Sequence, residues 1–438
     1  GGNGGAGGNN IPATGANRGG GGGGGGGGHG YYQAATPGPT SLNIGGQFYG
    51  GNGGAGGNQV TLGIAGQGGD GGYGIYSDAS GLTLNISAAT EIVGGDGGLG
   101  GMDGNGERAG GGAGGAGVGG ADLTIINSGS ISGGLSADGT RANAVSFGAG
   151  DNIYEYQTGG SVTGNVVGDG DDLFRLGGDT DGSFDVGQFG TTYQGFGSFE
   201  KTGNSTFTLT GATSEVTPWT LVSGTLEISG DAALGDSSGV LTFRRDDVNV
   251  LPTLRSDADF TMARDIAVYG SGRWDTGDHA VNFTGSFIGD GQLRFVPRLG
   301  GLVLSGTSSD FTGELFVEAA NIRVENAAAL DRGSVALFRG NLHYAEGINL
   351  GNSVRIISRG YFRQTGGSAT QSGDISGGGV LVKRGSGNLI LSAANSYNGD
   401  TSVEEGSLTL ANDLAASTGR IVTEAGTALF YADGVDIA

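Results

Sequence analysis

The chain has no cysteine, only two lysines among its 438 residues (Lys201 and Lys383), and no apolar run of 18 residues. Without cysteine, a disulfide framework, a zinc–thiolate site and a thiol nucleophile are all excluded. Without a long apolar run, no transmembrane helix is expected, and we predict no direct membrane insertion. The formal net charge is −22 and no run of Lys or Arg occurs. Nucleic acids are therefore not expected as partners and anionic membrane surfaces are disfavoured, because phosphate recognition needs clustered cations.

The chain is also poor in apolar mass. Hydrophobic residues make up 36% of the sequence, whereas glycine alone supplies 103 of the 438 residues. This is too little for an ordinary two-layer core, but it is enough for the thin core of a solenoid. Charged residues are only 15% of the chain, so a disordered polyelectrolyte is not expected either.

Three stretches, 199–228, 295–324 and 381–410, share a plan of short alternating apolar and polar bursts closed by Gly, Asn or Asp. These closing residues favour tight turns, so each burst predicts a short strand. Equivalent strand residues are 19, 20 and 19 positions apart in the pairs Phe207 and Leu226, Leu302 and Ile322, and Leu389 and Leu408. A fixed step near 20 predicts coils that stack to bury one continuous column. We therefore predict an all-β fold, a right-handed parallel β-helix (β-solenoid).

The third stretch carries a family resemblance. Gly-x-Gly-x-Leu-x-Leu at 385–391, Asn-Ser-Tyr-Asn-Gly at 395–399 and Glu-Gly-Ser-Leu at 405–408 resemble the autotransporter-associated β-strand repeat. The resemblance covers roughly 198–438. It implies a passenger domain at the cell surface of a Gram-negative bacterium, outer membrane-tethered or released, with a role in adhesion, surface structure or extracellular matrix and no catalysis. It also implies an outer-membrane β-barrel of the same precursor as a partner. Self-association and a surface or carbohydrate ligand remain open as further interactions.

The composition divides the chain into three regions. Residues 1–120 are glycine-rich tracts interleaved with strands, 121–197 are irregular solenoid rungs, and 198–438 are a repeat-bearing solenoid that continues beyond 438. Corner loops of at most one helical turn are expected at 231–239, 325–333 and 412–419.

The glycine tracts contain a nonamer, GGNGGAGGN, that occurs at 1–9 and again at 50–58. Gly-Gly-x has a period of three, the period of a polyproline-II-like helix, which makes no internal hydrogen bonds. Ordering glycine is entropically costly, so neighbouring chains must supply partners for the backbone groups. We predict a polyglycine-II-like, hydrogen-bonded bundle beside the first rungs, formed by tracts 1–9, 50–58, 68–72, 94–101 and 110–120. Its outward third positions would hold Asn3, Asn52, Ala55, Asp96 and Leu99.

No residue pattern predicts a catalytic site. His29, His279 and His343 lie far apart, and a 20-residue step puts about three rungs between the last two, too far for direct contact. Acidic residues are densest at Asp169, Asp171 and Asp172, where the local string resembles a single calcium-binding nonapeptide turn. Such turns normally act in tandem, so solvated corners are preferred and no cofactor is assigned. Aromatic corners at Phe311 and Tyr397 predict packing plugs more readily than sugar-binding platforms.

Two alternatives stay open. A β-helical polysaccharide-degrading enzyme would show a groove with paired carboxylates, or with an Asp–Arg constellation on adjacent rungs. A fibre or appendage protein would show intertwined trimeric chains in place of a self-contained coil.

Overall fold

In a computed structural model the described residues are 1–9, 20–35, 40–60, 63–245, 250–296, 299–308 and 310–436. Within them the chain forms short strands in parallel ladders and contains no α-helix. Two single turns of 3-10 helix lie at Val186–Gln188 and Asp231–Leu234. The predicted all-β parallel solenoid is confirmed. The chain divides into two compact units, one of residues 1–180 with 187–199 and one of residues 181–186 with 200–438.

The first unit has three sheets that the chain visits in turn. The first sheet contains Tyr31–Gln33, Ile75–Ser77, Val118–Gly120 and Val145–Phe147. The second contains Ser41–Ile44, Leu82–Ile86, Leu123–Asn127 and Ile153–Tyr156. The long strand Val166–Leu176 pairs with both of these sheets. The third contains Gln47–Tyr49, Glu91–Val93, Ser130–Ser132 and Ser161–Thr163. The strand Tyr193–Lys201 contains the boundary between the units.

Alternate residues of these strands point into the core of the first unit. Leu84, Ile125, Tyr154 and Phe174 are fully buried and lie in register on successive strands. Leu123, Ile125 and Ile131 on the second and third sheets are fully buried as well.

Four faces, named I to IV, make up the second unit. Face I contains Trp219–Leu221, Leu241–Phe243, Ile266–Val268, Phe287–Gly289 and Asp310–Phe311. Face II contains Gly182–Asp185, Thr206–Thr210, Thr225–Ile228, Thr253–Ser256, Ser271–Asp275, Gln292–Phe295, Glu314–Glu318, Ser334–Phe338, Val354–Ile356 and Ile375–Gly377. Face III contains Phe260–Met262, Ala280–Phe283, Gly301–Leu304, Asn321–Val324, Asn341–Tyr344, Arg359–Gln364, Val380–Arg384, Thr401–Val403 and Ile421–Thr423. Face IV contains Asn349–Leu350, Ser368–Gln371, Asn388–Leu391, Ser407–Leu410 and Ala428–Tyr431.

The apolar pairs that defined the 20-residue step are neighbours in this core. Leu302 pairs with Ile322 and Leu389 pairs with Leu408, each in parallel register and fully buried. One coil therefore separates the two members of each pair, as predicted.

The three corner loops have a common role. Each follows the second strand of a repeat copy and stands where the coil would otherwise place a strand on the next face. Each also buries two adjacent apolar residues, which fill the space of that strand's inward side chains: Ala233 and Leu234, Ala329 and Leu330, and Ala415 and Ala416. The loops are single turns, as predicted.

The two lysines occupy equivalent buried corners. Lys383 Nζ donates to the carbonyls of Arg384, Gly385 and Glu405, at 3.0, 2.6 and 3.0 Å. Lys201 Nζ likewise donates to the carbonyl of the next residue, Thr202. Each lysine is followed two positions later by a glycine with positive φ. Burial lowers the pKa of Lys383 to about 8, against the opposing effect of the nearby Glu405 carboxylate. These lysines serve as structural clamps.

Between rungs of the first unit, glycine tracts leave the sheets and return, and together they form one hydrogen-bonded assembly, the glycine bundle. It consists of the outgoing tracts 1–9, 50–58 and 94–101 and the returning tracts 20–30, 66–74 and 109–117. Neighbouring tracts bond at every third residue, as in Gly22 to Gly8, Gly25 to Gly5 and Gly28 to Gly2, at 3.0, 2.8 and 2.9 Å. The backbone bonds that the sequence prediction required between distant tracts are therefore present.

Side chains leave the bundle at every third position. Asn3, Asn52, Ala55, Asp96 and Leu99 are all exposed, as expected for outward positions. Two details differ from the prediction. The returning tract 20–30 also belongs to the bundle, and Val118–Gly120 is a strand of the first sheet, because it pairs with Ile75–Ser77.

The outward asparagines and aspartates join neighbouring tracts. The side-chain oxygen of Asn3 accepts from the backbone N–H of Asn52, and that of Asn52 accepts from Asp96 N–H, at 2.9 and 2.8 Å. Asp96 continues the series to the N–H of Leu135, at 2.7 Å. An amide or carboxylate oxygen at this position thus satisfies the one N–H per three residues that points away from the neighbouring tracts. This explains why Asn and Asp recur in the Gly-Gly-x pattern.

Candidate binding surfaces

The three acidic residues singled out from the sequence lie on the long strand Val166–Leu176. Asp169 and Asp171 are exposed, whereas Asp172 is fully buried. Asp172 Oδ1 accepts from the backbone N–H and the side-chain amide of Asn152, both at 3.0 Å. Its Oδ2 accepts from Asp169 N–H at 3.3 Å. Burial raises the pKa of Asp172, and the Asn152 hydrogen bonds oppose that rise.

The Asp172 carboxylate is therefore bonded to donors of the protein itself, whereas Asp169 and Asp171 lie at the surface. Within the described ranges no group of three or more His, Cys, Asp or Glu side chains is placed to hold a metal ion. The geometry favours a structural corner, in which Asp172 aligns two neighbouring rungs.

Chelation gives a direct test of this view. We expect EDTA to shift the thermal unfolding midpoint by less than about 1 °C. A metal ion stabilises the folded state only if it binds there, so removing an ion that is not bound has no effect. Differential scanning calorimetry with and without added calcium measures this. A fall in EDTA that calcium restores, and that Asp171→Ala removes, would instead establish a calcium site.

The histidines are dispersed. His29 contacts the aromatic rings of Tyr73 and Tyr76, with centroids 5.4 and 5.3 Å away, in the first unit. His279 Nδ1 lies 3.5 Å from Asp259 in the second unit. His343 lies on face III, three strands from the strand that follows His279, in agreement with the predicted separation.

The aromatic corners are packing plugs. Tyr397 is fully buried and its hydroxyl bonds Thr401 Oγ1. Phe311 is 1% exposed and its ring centroid lies 5.5 Å from that of Phe287. Neither ring is available to a sugar.

A polar groove of about 500 Å³ runs over the first unit. Its lining includes Asn43, Asn85, Ser87, Ser128 and Gln157, and no charged side chain. These groups largely satisfy one another or the backbone: Asn85 donates to Asn43 at 3.1 Å, and Ser128 to a main-chain carbonyl at 2.8 Å.

On face III of the second unit, four basic residues lie in one line. Parallel register places Arg323, His343, Arg363 and Arg384 on successive strands. We call this line the basic column. Neighbouring members are about 4.8 Å apart along the stack, the spacing between strands. Arg323 Nη1 lies 3.1 Å from His343 Nε2.

A groove of about 290 Å³ follows the column and includes the neighbouring amides of Asn321 and Asn341. No carboxylate lines it. Burial and the guanidinium groups of Arg323 and Arg363 lower the pKa of His343, with a smaller opposing effect from Glu325.

This column does not appear as a run of cationic residues along the chain, so it was not predicted from the sequence. Its members are 20, 20 and 21 residues apart, which is the step already found for the apolar residues. Reading the basic residues at that step would have found the column.

Comparisons with known proteins bear on the resemblance found in the repeats. The passenger-associated transport repeat matches residues 199–231 and 381–410. These are two of the three copies found by spacing, and each match begins two residues before a clamp lysine. The chain is also 31% identical over 184 residues to an adhesin, the BmaC autotransporter of Brucella suis biovar 1 (strain 1330). That alignment covers 37% of this chain and 5% of the relative, so the chain spans a small part of the relative's length.

The matches confirm the predicted resemblance to an autotransporter passenger with repeats, and with it a location at the cell surface. None of the helical segments in the described residues is long or apolar enough to cross a membrane.

Proposed function

We propose that this chain is a segment of a surface-exposed passenger that acts in adhesion or surface structure and has no catalytic site. The observation that carries this proposal is a repeat-bearing solenoid whose outward side chains form long columns. Such columns offer extended binding surfaces, which is how solenoid proteins generally engage partners. The similarity to an autotransporter adhesin supports the same function.

The geometry gives less support to the enzyme alternative. The grooves of about 500 and 290 Å³ have no carboxylate in their linings. A third groove, of about 300 Å³ on face II, has one, Glu318, which is paired with Arg294 at 2.7 Å. An Asp–Arg pair on adjacent rungs does occur, between Asp400 and Arg420 at 2.8 Å, but the arginine side chain is 83% exposed. A general acid needs a desolvated carboxyl whose pKa is raised, whereas Arg420 lowers the pKa of Asp400.

The fibre alternative predicts ladders shared between chains. The inner strands of the described sheets pair on both sides with strands of the same chain. Their hydrogen-bonding edges are therefore already used, which supports a self-contained coil. An autotransporter passenger implies a translocating outer-membrane barrel in the same precursor, and we propose that barrel as its covalently linked partner.

An adhesion assay tests the proposal. Beads coated with residues 1–438 should bind cultured epithelial cells or extracellular matrix at least several-fold above albumin-coated beads, and soluble chain should compete. Incubation of the chain with acidic and neutral polysaccharides should release no new reducing ends above buffer. Absence of bead binding would contradict the adhesive role, and sustained polysaccharide cleavage would replace it with the enzyme alternative.

A further inference from the structure

The basic column differs from the other arginine-bearing surface of the second unit. On face II each of four arginines faces a carboxylate: Arg255 with Glu227, Arg273 with Asp275, Arg294 with Glu318 and Arg355 with Glu314, at 3.2, 3.2, 2.7 and 2.7 Å. Such exposed pairs are neutral overall, and they are typical of a solvated face.

The column is only partly neutralised. Arg323 Nε contacts Glu325 at 2.8 Å, and Arg384 Nε contacts Glu404 at 2.7 Å. In the described part of the chain no carboxylate lies within ion-pair distance of Arg363, which is exposed. On one side of His343, Arg363 therefore has no carboxylate partner, and on the other side Arg323 is paired with one carboxylate, Glu325.

This arrangement is unusual for the molecule. The chain carries a formal charge of −22, so a polyanion is repelled at long range and gains only from local contacts. On a face that contacts only solvent, we would expect carboxylates to neutralise each arginine, as they do on face II.

The spacing of the column selects a kind of anion. Arg323 and Arg363 are two strands apart, about 9.6 Å along the stack, which is comparable with the length of one disaccharide. Beside them Asn321 and Asn341 present amides that can pair with hydroxyl groups, and the groove follows the same line. Guanidinium groups bind carboxylate and sulfate in bidentate geometry.

We propose that the basic column of face III binds a linear acidic polysaccharide that carries one carboxylate or sulfate per disaccharide. Arg323 and Arg363 bind successive anionic groups, and Asn321 and Asn341 bind hydroxyls of the sugars between them. This inference rests on the proposed adhesive function and names its ligand class.

His343 makes the site sensitive to pH. The groups that face it are Arg323 and Arg363 on the adjacent strands and the Glu325 carboxylate, and Thr365 Oγ1 lies 3.2 Å from its Nε2. Because its pKa lies below the ordinary value, the imidazole is neutral at pH 7.4 and is protonated only on acidification. Protonation adds a cation at the centre of the column, so the bound anion is held more tightly in acid.

Isothermal titration with defined oligosaccharides tests the proposal on the intact chain. The acidic probe is a hexasaccharide of alternating glucuronic acid and N-acetylglucosamine, and the neutral probe is the N-acetylglucosamine hexamer. We expect binding of the acidic probe that is at least tenfold tighter than that of the neutral one. Arg363→Gln should weaken acidic binding at least tenfold, whereas the matched Arg355→Gln on face II should change it less than twofold. Both variants should unfold at the wild-type temperature, since both side chains are exposed.

The pH arm uses the same titration. Lowering the pH from 7.4 to 5.5 should tighten binding about threefold or more in the wild type and leave His343→Gln unchanged. Equal binding of the two hexamers, equal losses in the two arginine variants, or no binding at either pH would overturn the proposal.

The outcome is separable from that of the adhesion assay. If beads coated with the double variant Arg323→Gln/Arg363→Gln adhere as well as wild-type beads, adhesion stands and the column is not its site. If wild-type beads do not adhere but the hexasaccharide binds and Arg363→Gln abolishes that binding, the column is a glycan site and the adhesive function fails.

Discussion

Substituting alanine for Gly54 should open the glycine bundle locally, whereas the same change at Gly5 should have almost no effect. A β-carbon at residue 54 would overlap the carbonyl group of Gly5, while one at residue 5 meets nothing within 4 Å. Neither glycine has positive φ, so steric overlap alone separates the two variants. Overpacking of this kind costs about 1–3 kcal/mol. The bonds from Gly54 N–H to Gly25 and from Gly69 N–H to Gly54 should therefore weaken.

Hydrogen exchange measures this opening directly, because it reports the local opening free energy. Peptides that cover 50–58 and 66–74 should exchange about tenfold or more faster in Gly54→Ala, and those of the second unit should be unchanged. Gly5→Ala should match the wild type throughout. Equal exchange in the two variants would mean that the tracts are not held by the bonds described.

The second large effect is expected at Arg264, which is 1% exposed. Its guanidinium contacts the Asp231 carboxylate through Nε, and its Nη atoms donate to four main-chain carbonyls of the 231–239 corner loop at 2.8–3.0 Å. The four carbonyls belong to Asp231, Leu234, Gly235 and Gly239. Arg264→Met should lower the free energy of unfolding by about 3–5 kcal/mol, the usual cost of leaving a buried charge and its partners unpaired.

Denaturant unfolding followed by tryptophan fluorescence suits this test, because both tryptophans, Trp219 and Trp274, are buried in the second unit. The matched control is Arg332→Met, whose side chain is 72% exposed and 3.6 Å from Asp331. It should change stability by less than about 0.5 kcal/mol. Adding Asp231→Leu to Arg264→Met should recover part of the loss, since no carboxylate is then left unpaired. A decrease in the free energy of unfolding of less than about 1 kcal/mol in Arg264→Met would contradict the structural role of this arginine.

The parts of the fold that repeat could be predicted, because a repeat shows itself as spacing. Leu389 and Leu408 revealed the coil, and the period of three revealed the bundle and its outward Asn52 and Asp96. Arg264 could not be predicted in this way. Its partners lie about 30 positions earlier in a loop, and no local pattern marks a buried arginine.

The candidate site falls between these cases. Asp169, Asp171 and Asp172 attracted attention because they are adjacent in sequence, yet Asp172 serves a neighbouring rung through Asn152. The basic column was overlooked because its members are distant in sequence, although their 20-residue step was already known. In a solenoid, adjacency in space follows the step between coils, so surface chemistry must be read at that step.

The glycine bundle also limits how its tracts can change in length. In tract 50–58 side chains are tolerated only at every third residue, because a β-carbon on any of the glycines between them would overlap a neighbouring backbone. One residue inserted before Ala55 would move that side chain and each later outward residue of the tract toward a neighbouring backbone. Three residues inserted in an outgoing tract, together with three in the returning tract that follows it, would only lengthen the two tracts and add one outward position to each. Length variants of this region that keep the bundle are therefore expected to differ by multiples of three, as coding sequences do.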